Sequence, residues 1–204
     1  MGNLIVEQVV SADGFAADRN GTTKFFEAGD GSNDLEDALQ EGEAEALEMM
    51  ENVDAIVLGA NTYKLFVEYW PTQDPTKQRI AKPLNELPMH VFSKTLKEAP
   101  WGNFRPATVE RGDVVETIAE LRTRYQRDLV VWGSLKLTET LFRARIVDVL
   151  RLRTVPKLIG EGRTVTPKDL EIQPMKLDRI RHYPKGLVNH QYLLEHSMAA
   201  ATAT

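Results

Sequence analysis

The sequence predicts an α/β protein: a central, mixed and mostly parallel sheet flanked by helices, with an antiparallel hairpin at its C-terminal end. Two observations carry this prediction. Short apolar runs alternate with stretches of helical periodicity through the first two thirds of the chain, as parallel βα units do. The last third instead holds two long strand patterns joined by Tyr183-Pro184-Lys185-Gly186, a tight-turn sequence.

Residues 3–10 form a first strand, apolar enough to be central. Ser11-Ala12-Asp13-Gly14-Phe15 turns out of it. Residues 16–34, rich in Gly, Asp and Asn, form a loop over the strand ends. A helix covers about 35–52, weakened at Gly42, with Leu47, Met50 and Val53 as its apolar stripe. Strand 54–58 follows, then a short helix from Asn61 to Glu68 and the segment Tyr69-Trp70-Pro71. Thr76 to Asn85 is a helix with Pro83 near its end or marking a break, and 89–93 is the next strand. Trp101-Gly102-Asn103 is a loop. Val114 to Tyr125 is an amphipathic helix with Val115, Ile118, Leu121 and Tyr125 on one face. Strand 128–132 leads into helix 134–143, whose Leu137 and Leu141 face inward with Ile146. Residues 147–155 alternate as a strand with its charges on one face. Leu158 to Arg163 is a glycine loop, 172–182 and 187–195 are antiparallel strands, and 197–204 is a disordered Ala/Thr tail. The whole of 1–196 is expected to be one domain.

Composition narrows the function. The 204 residues contain no cysteine, which excludes a disulfide framework, a thiolate metal site and a cysteine nucleophile. His90, His182, His190 and His196 lack the two-His spacing of a metal site, so no metal is expected. No run approaches the ~18 apolar residues of a membrane span, and the N-terminus enters a strand directly, so a cytoplasmic protein is expected. Between Glu27 and Asp54 there are eleven carboxylates and no Lys or Arg, which leaves 19 acidic against 25 basic residues elsewhere. The acidic run is expected to be a solvated loop and helix face. The basic remainder suits an anionic ligand but is too dispersed for nucleic acid.

Three strands end in small polar turns: Leu58 into Gly59-Ala60-Asn61-Thr62, Phe92 into Ser93-Lys94-Thr95, and Trp132 into Gly133-Ser134. A helix starting at such a turn directs unpaired N–H groups and a positive dipole end at one spot, which binds anions. Three of them in one sheet suggest a dinucleotide, although each alone is also an ordinary connection.

These turns belong to a longer series of motifs. Ser11-Ala12-Asp13-Gly14-Phe15, Leu58-Gly59-Ala60-Asn61-Thr62-Tyr63, Tyr69-Trp70-Pro71, and Phe92-Ser93-Lys94-Thr95-Leu96 with Trp101-Gly102-Asn103 come first. Val131-Trp132-Gly133-Ser134 with Leu141, Val147-Asp148 and Leu150 come next, and Val155-Pro156 through Gly160-Glu161-Gly162 close the series. In this order, over residues 3–195, they resemble the dihydrofolate reductase-like proteins related to the C-terminal reductase domain of riboflavin biosynthesis. The resemblance implies NADPH as cofactor, often a homodimer, and hydride transfer to a C=N or C=O group of a small heterocycle or an opened sugar. The activity would resemble that of a 5-amino-6-(5-phosphoribosylamino)uracil reductase or a dihydrofolate reductase.

By that resemblance Gly59 and Thr62 meet the cofactor phosphates. Ser93, Lys94 and Thr95 hold the adenosine 2′-phosphate, Gly133 and Ser134 sit beside the pyrophosphate, and Asp13 lies near the substrate. Two positions depart from the pattern: Ala60 stands where the family usually has Arg, and Trp132 where it usually has Gly. Asp13 either orients or protonates the substrate, as the catalytic candidate, or is a plain turn residue. Trp70 and Trp101 could wall a flat substrate pocket or belong to the core. Glu161 could reach the substrate from its Gly-Glu-Gly turn. A second reading is a non-catalytic protein of the same fold that binds a nucleotide weakly or a partner through the acidic segment. Strands 147–155, 172–182 and 187–195 carry Leu150, Leu152, Ile180, Leu187, Val188, Tyr192 and Leu194, more apolar surface than one buried face requires. A homodimer through this half is therefore expected.

Overall fold

The computed structural model describes residues 2–26, 42–183 and 186–195. A nine-stranded sheet runs through them in the order β10-β11-β8-β1-β7-β3-β4-β6-β5. The parallel strands are β1 (Leu4–Ser11), β3 (Val53–Gly59), β4 (Met89–Phe92), β6 (Phe104–Glu110), β7 (Asp128–Trp132) and β8 (Val149–Val155). Antiparallel strands extend it at both ends: β5 (Ala99–Trp101) on β6, and β11 (Val188–Leu194) on β8 followed by β10 (Met175–His182). Every residue of β7 is buried, as a strand covered on both faces must be.

Two helical layers supply that cover. On one face α4 (Val114–Arg124) and α5 (Leu135–Arg143) pack Ile118, Leu121, Leu137 and Leu141 against Leu4, Val6, Leu129 and Val131. On the other, α1 (Glu43–Met50), α2 (Ala60–Tyr69) and α3 (Ala81–Glu86) pack Met49, Met50, Tyr63 and Leu84 against Ile5, Ile56, Leu58 and Val130. The period-2 alternation of each strand sorts its residues between these two cores.

Several elements differ from the sequence reading. The start of the loop expected over 16–34 belongs to β2 (Phe15–Asp18), which pairs with β9 (Gly162–Thr164) at the end of the expected glycine loop. Pairs this short carry no legible periodicity. Of the loop expected at Trp101-Gly102-Asn103, Trp101 ends β5 and pairs with Phe104, and Gly102-Asn103 form the tight turn of the β5–β6 hairpin, with Gly102 at φ +54. The helix expected over 76–85 is confined to Ala81–Glu86, and Pro83 lies in its first turn, where a missing N–H costs nothing. Of the helix expected over 35–52, the described part is α1. The remainder of the acidic segment up to residue 41 and the tail 197–204 lie outside the described residues.

The acidic face is not simply solvated. Glu45 is buried and binds Arg151 at 3.2 Å, Asn189 Nδ2 at 2.8 Å and the Tyr183 hydroxyl at 2.6 Å. Glu48 pairs with Arg179 and Arg181 at the rim. An acidic helix thus docks on a basic stripe of the sheet. The expected surplus of apolar residues also shrinks, because Leu150, Leu187 and Leu194 are buried within the chain. What remains is a face of β10 carrying exposed Met175, Leu177 and Ile180.

Candidate functional site

The carboxyl ends of the parallel strands open into a cleft of about 1220 Å³. Two of the three expected turns build its centre. Gly59 precedes α2, and Gly133-Ser134 precede α5 with φ of +56 and +62. Thr62 ties them together: its Oγ1 accepts from Ser134 N–H at 2.8 Å, while Gly59 N–H donates to Ser134 Oγ at 2.7 Å. A Cβ on Gly133 would lie 2.9 Å from Thr62 Oγ1, so only glycine fits the left-handed turn at this approach. Gln8 Nε2 donates to the Gly133 carbonyl and holds the turn from β1.

The two helices starting here lack side-chain caps. Helix α4, by contrast, is capped by Asp113, which accepts from Val115 and Glu116 N–H. The uncapped N-termini of α2 and α5 therefore present first-turn N–H groups and dipoles to the cleft, the donor set that phosphate oxygens require. Glycine at the close approach and two unspent helix starts fit a pyrophosphate.

The third turn corrects the expectation of a helix start. Ser93-Lys94-Thr95 leads to β5, and Ser93 Oγ accepts from the N–H groups of Thr95 and Leu96 at 3.2 and 3.0 Å. No helix dipole acts there, so any attraction for an anion comes from side chains. Lys94 is exposed on the cleft wall, beside Arg111, whose guanidinium is held by the carbonyls of Lys94, Leu96 and Lys97. Arg111 escapes a motif reading because it follows a hairpin that the sequence does not announce. Beneath, Glu110 Oε1 meets buried His90 Nδ1 at 2.7 Å, and His90 Nε2 meets the Tyr125 hydroxyl at 3.0 Å. Burial holds the His90 imidazole below its ordinary range, against the opposing pull of Glu110.

A chain of aromatic rings also lines the cleft. Phe66 lies 6.1 Å from Trp70 and 6.2 Å from Trp132 between ring centres. Trp132 turns down into the α1–α2 side of the core and donates from Nε1 to Glu7 Oε1 at 3.1 Å. Its ring therefore forms floor beside the glycine turn rather than plugging it. Trp101 is buried and bonded to Asn85 Oδ1 at 2.8 Å, which makes it core and not pocket wall.

Gly59, Ala60, Thr62, Ser93, Lys94, Thr95, Gly133, Ser134 and Trp70 thus share one cleft; Asp13 and Glu161 do not line it. Asp13 accepts from Ser11 Oγ at 2.6 Å and from Gly160 N–H at 2.7 Å. Those bonds, the Ser11 hydroxyl foremost, hold its carboxyl below the usual range. Its position at the strand end was correct, but the carboxylate braces the 159–160 loop instead of facing the cleft. Glu161 is exposed on that loop. Among the described residues no group of three potential metal ligands occurs, and no helix is long and apolar enough to cross a membrane.

Comparison with known proteins places this architecture. The family model described as the RibD C-terminal domain matches residues 3–189. The uncharacterized protein YyaP of Bacillus subtilis is 22% identical over 191 residues, 93% of each chain. A putative riboflavin biosynthesis protein from Shewanella sp. PV-4 superposes with a TM-score of 0.70 at 20% identity, covering 95% of this chain and 99% of that one. Dihydrofolate reductase from Enterococcus faecalis, complexed with NADP(H), superposes at 0.53 with 12% identity, covering 95% and 96%.

Proposed function

The chain belongs to the RibD C-terminal domain family, and from that premise we propose that it is an NADPH-dependent reductase of a small, flat, pyrimidine- or pteridine-like heterocycle. The observation that carries the reading is the pair of uncapped helix starts locked together by Thr62 and Ser134 in the middle of a long cleft. From β1 to β4 the cleft crosses three strand spacings, roughly 14 Å. That is room for an extended dinucleotide.

The chain's residues would divide the work along this span. Gly59, Gly133 and Ser134, tied to the Thr62 hydroxyl, shape the turns at the centre, and the first-turn N–H groups of Ala60, Asn61 and Thr62 and of Leu135 and Lys136 would meet the pyrophosphate there. Lys94 and Arg111, with the hydroxyls of Ser93 and Thr95, set two cations against a 2′-phosphate at the β4–β6 side, which favours NADPH over NADH. Phe66, Trp70 and Trp132 provide flat apolar walls, Trp132 next to β1, and would exclude water around the ring to be reduced. NADPH supplies the hydride when bound. The protein's part is to hold donor and acceptor in register.

Ala60 favours the second reading, a weak nucleotide binder without turnover, since it leaves the α2 start without a guanidinium. The experiment that separates the two is calorimetric titration with NADPH, together with absorbance at 340 nm over a panel of pyrimidines and pteridines. Binding with turnover of one panel member supports the reductase. Absence of both rejects it. We also propose a homodimer across the exposed face of β10.

A further inference from the structure

The cleft floor carries a carboxylate with no task in cofactor binding. Glu7 lies mid-strand in β1, flanked in register by Trp132 on β7 and Arg151 on β8. It is 95% buried and still lines the cleft. Oε1 accepts from the Trp132 indole. Oε2 lies 3.0 Å from Arg151 Nε, but off the N–H axis, and has no hydrogen-bond partner among the described residues.

Arg151 does not need Glu7 as its counter-ion, because Glu45 already pairs with it at 3.2 Å. A buried acceptor with unspent lone pairs is costly, and a ligand donor is one way such a group is satisfied. Glu43 Oε1 accepts from Ile80 N–H at 3.0 Å and Gln8 holds Gly133; a second unpartnered buried acceptor of the cleft among the described residues, Gln78 Oε1, belongs to a neutral amide whose Nε2 donates to the Tyr69 hydroxyl. Beside Glu7 stands the Trp132 indole, with the Phe66 ring 6.2 Å from it, and flat faces of this kind select a planar ring.

We propose that Glu7 is the substrate-recognition carboxylate, its Oε2 accepting a hydrogen bond from a ring N–H or amino group of a planar amino-heterocycle held between the aromatic walls. The inference rests on the heterocycle reading above. An ionised carboxylate only accepts, so it selects rings that present N–H and rejects alkylated or carbonyl-only edges.

The probe is 5,6-diaminouracil, with 1,3-dimethyluracil as the ring lacking N–H donors. Protein labelled with 15N at its three tryptophans reports the site directly, since the Trp132 indole N–H is bonded to Glu7. We expect 5,6-diaminouracil to shift the Trp132 indole resonance and leave buried Trp101 unmoved. We expect Glu7→Gln to weaken its binding at least tenfold, and 1,3-dimethyluracil to bind at least tenfold more weakly than 5,6-diaminouracil. An unmoved Trp132 resonance, no binding of 5,6-diaminouracil, equal affinity in Glu7→Gln or equal affinity for the dimethylated ring overturns the assignment. The wild-type titration decides even where the variant does not fold. NADPH titration of the same sample is a separate arm: NADPH binding without 5,6-diaminouracil binding rejects Glu7 alone. Loss of NADPH binding with the Trp132 shift intact rejects the reductase reading instead.

Discussion

At the scale of single residues, the cleft separates groups whose type suffices from groups whose position decides. Lys94 is of the first kind: an exposed cation on the cleft wall. Lys94→Ala should weaken NADPH binding by roughly 10- to 100-fold, the value of a charge-assisted contact of about 1.5–3 kcal/mol, and change NADH binding little. Conversely, Ala60→Arg should tighten NADPH, because the added guanidinium would stand at an uncapped helix start. Paired calorimetric titrations with NADPH and NADH check both expectations. Asp13 is of the second kind. Its place after the first strand was legible, but its bonds to Ile159 and Gly160 involve a loop nearly 150 residues away, which no local pattern encodes.

At the scale of elements, α1 shows how burial divides ion pairs of similar appearance. Glu45 and Glu48 sit three residues apart on one helix and both meet arginines. Glu45 is buried, with Tyr183 and Asn189 completing its shell. Burial pushes its carboxyl upward, but the Tyr183, Asn189 and Arg151 contacts outweigh this and hold it below the ordinary range. The same contact, after burial itself, pushes Tyr183 up to about 12. Glu45→Ala leaves Arg151 with Glu7 alone among the described residues and strips Tyr183 and Asn189 of their acceptor, and should cost about 3 kcal/mol. Glu48→Ala, half exposed, should cost about 1 kcal/mol or less. Urea unfolding of the two variants measures the difference. In the sequence the two glutamates look alike, since an acidic run does not show which member faces a basic strand.

At the scale of the whole molecule, stability should depend on pH through His90. Glu110 and Tyr125 bond its ring, and Arg105 and Arg124 lie near enough to oppose its charge. Burial keeps the folded imidazole below its ordinary value of 6.5, so the unfolded chain takes up the proton first as pH falls. Stability should therefore decline from about pH 7 towards pH 5, and His90→Gln should flatten that slope in thermal unfolding curves. Association should also be a property of the outer sheet. Helix α5 leaves β10 uncovered, and Ile180, 56% exposed beside Leu177, is its apolar centre. Ile180→Arg should convert a dimer to monomers in light scattering, with the cleft's NADPH affinity retained.

The sequence by itself determined the alternating core. Strands 54–58 and 128–132 and the helix from Val114 onwards appear nearly as read, because burial on both faces or on one helical stripe imposes a period that composition displays. It also determined the glycine turns, since a left-handed φ beside Thr62 admits few residues. Only the tertiary structure decided the short pairs β2–β9 and β5–β6, the buried partners of Glu45 and the acceptor on Glu7 that lacks a hydrogen-bond partner among the described residues. Each of these depends on contacts between distant segments. Such contacts are selected by the packing of the whole sheet, and they leave no periodicity in the chain that makes them.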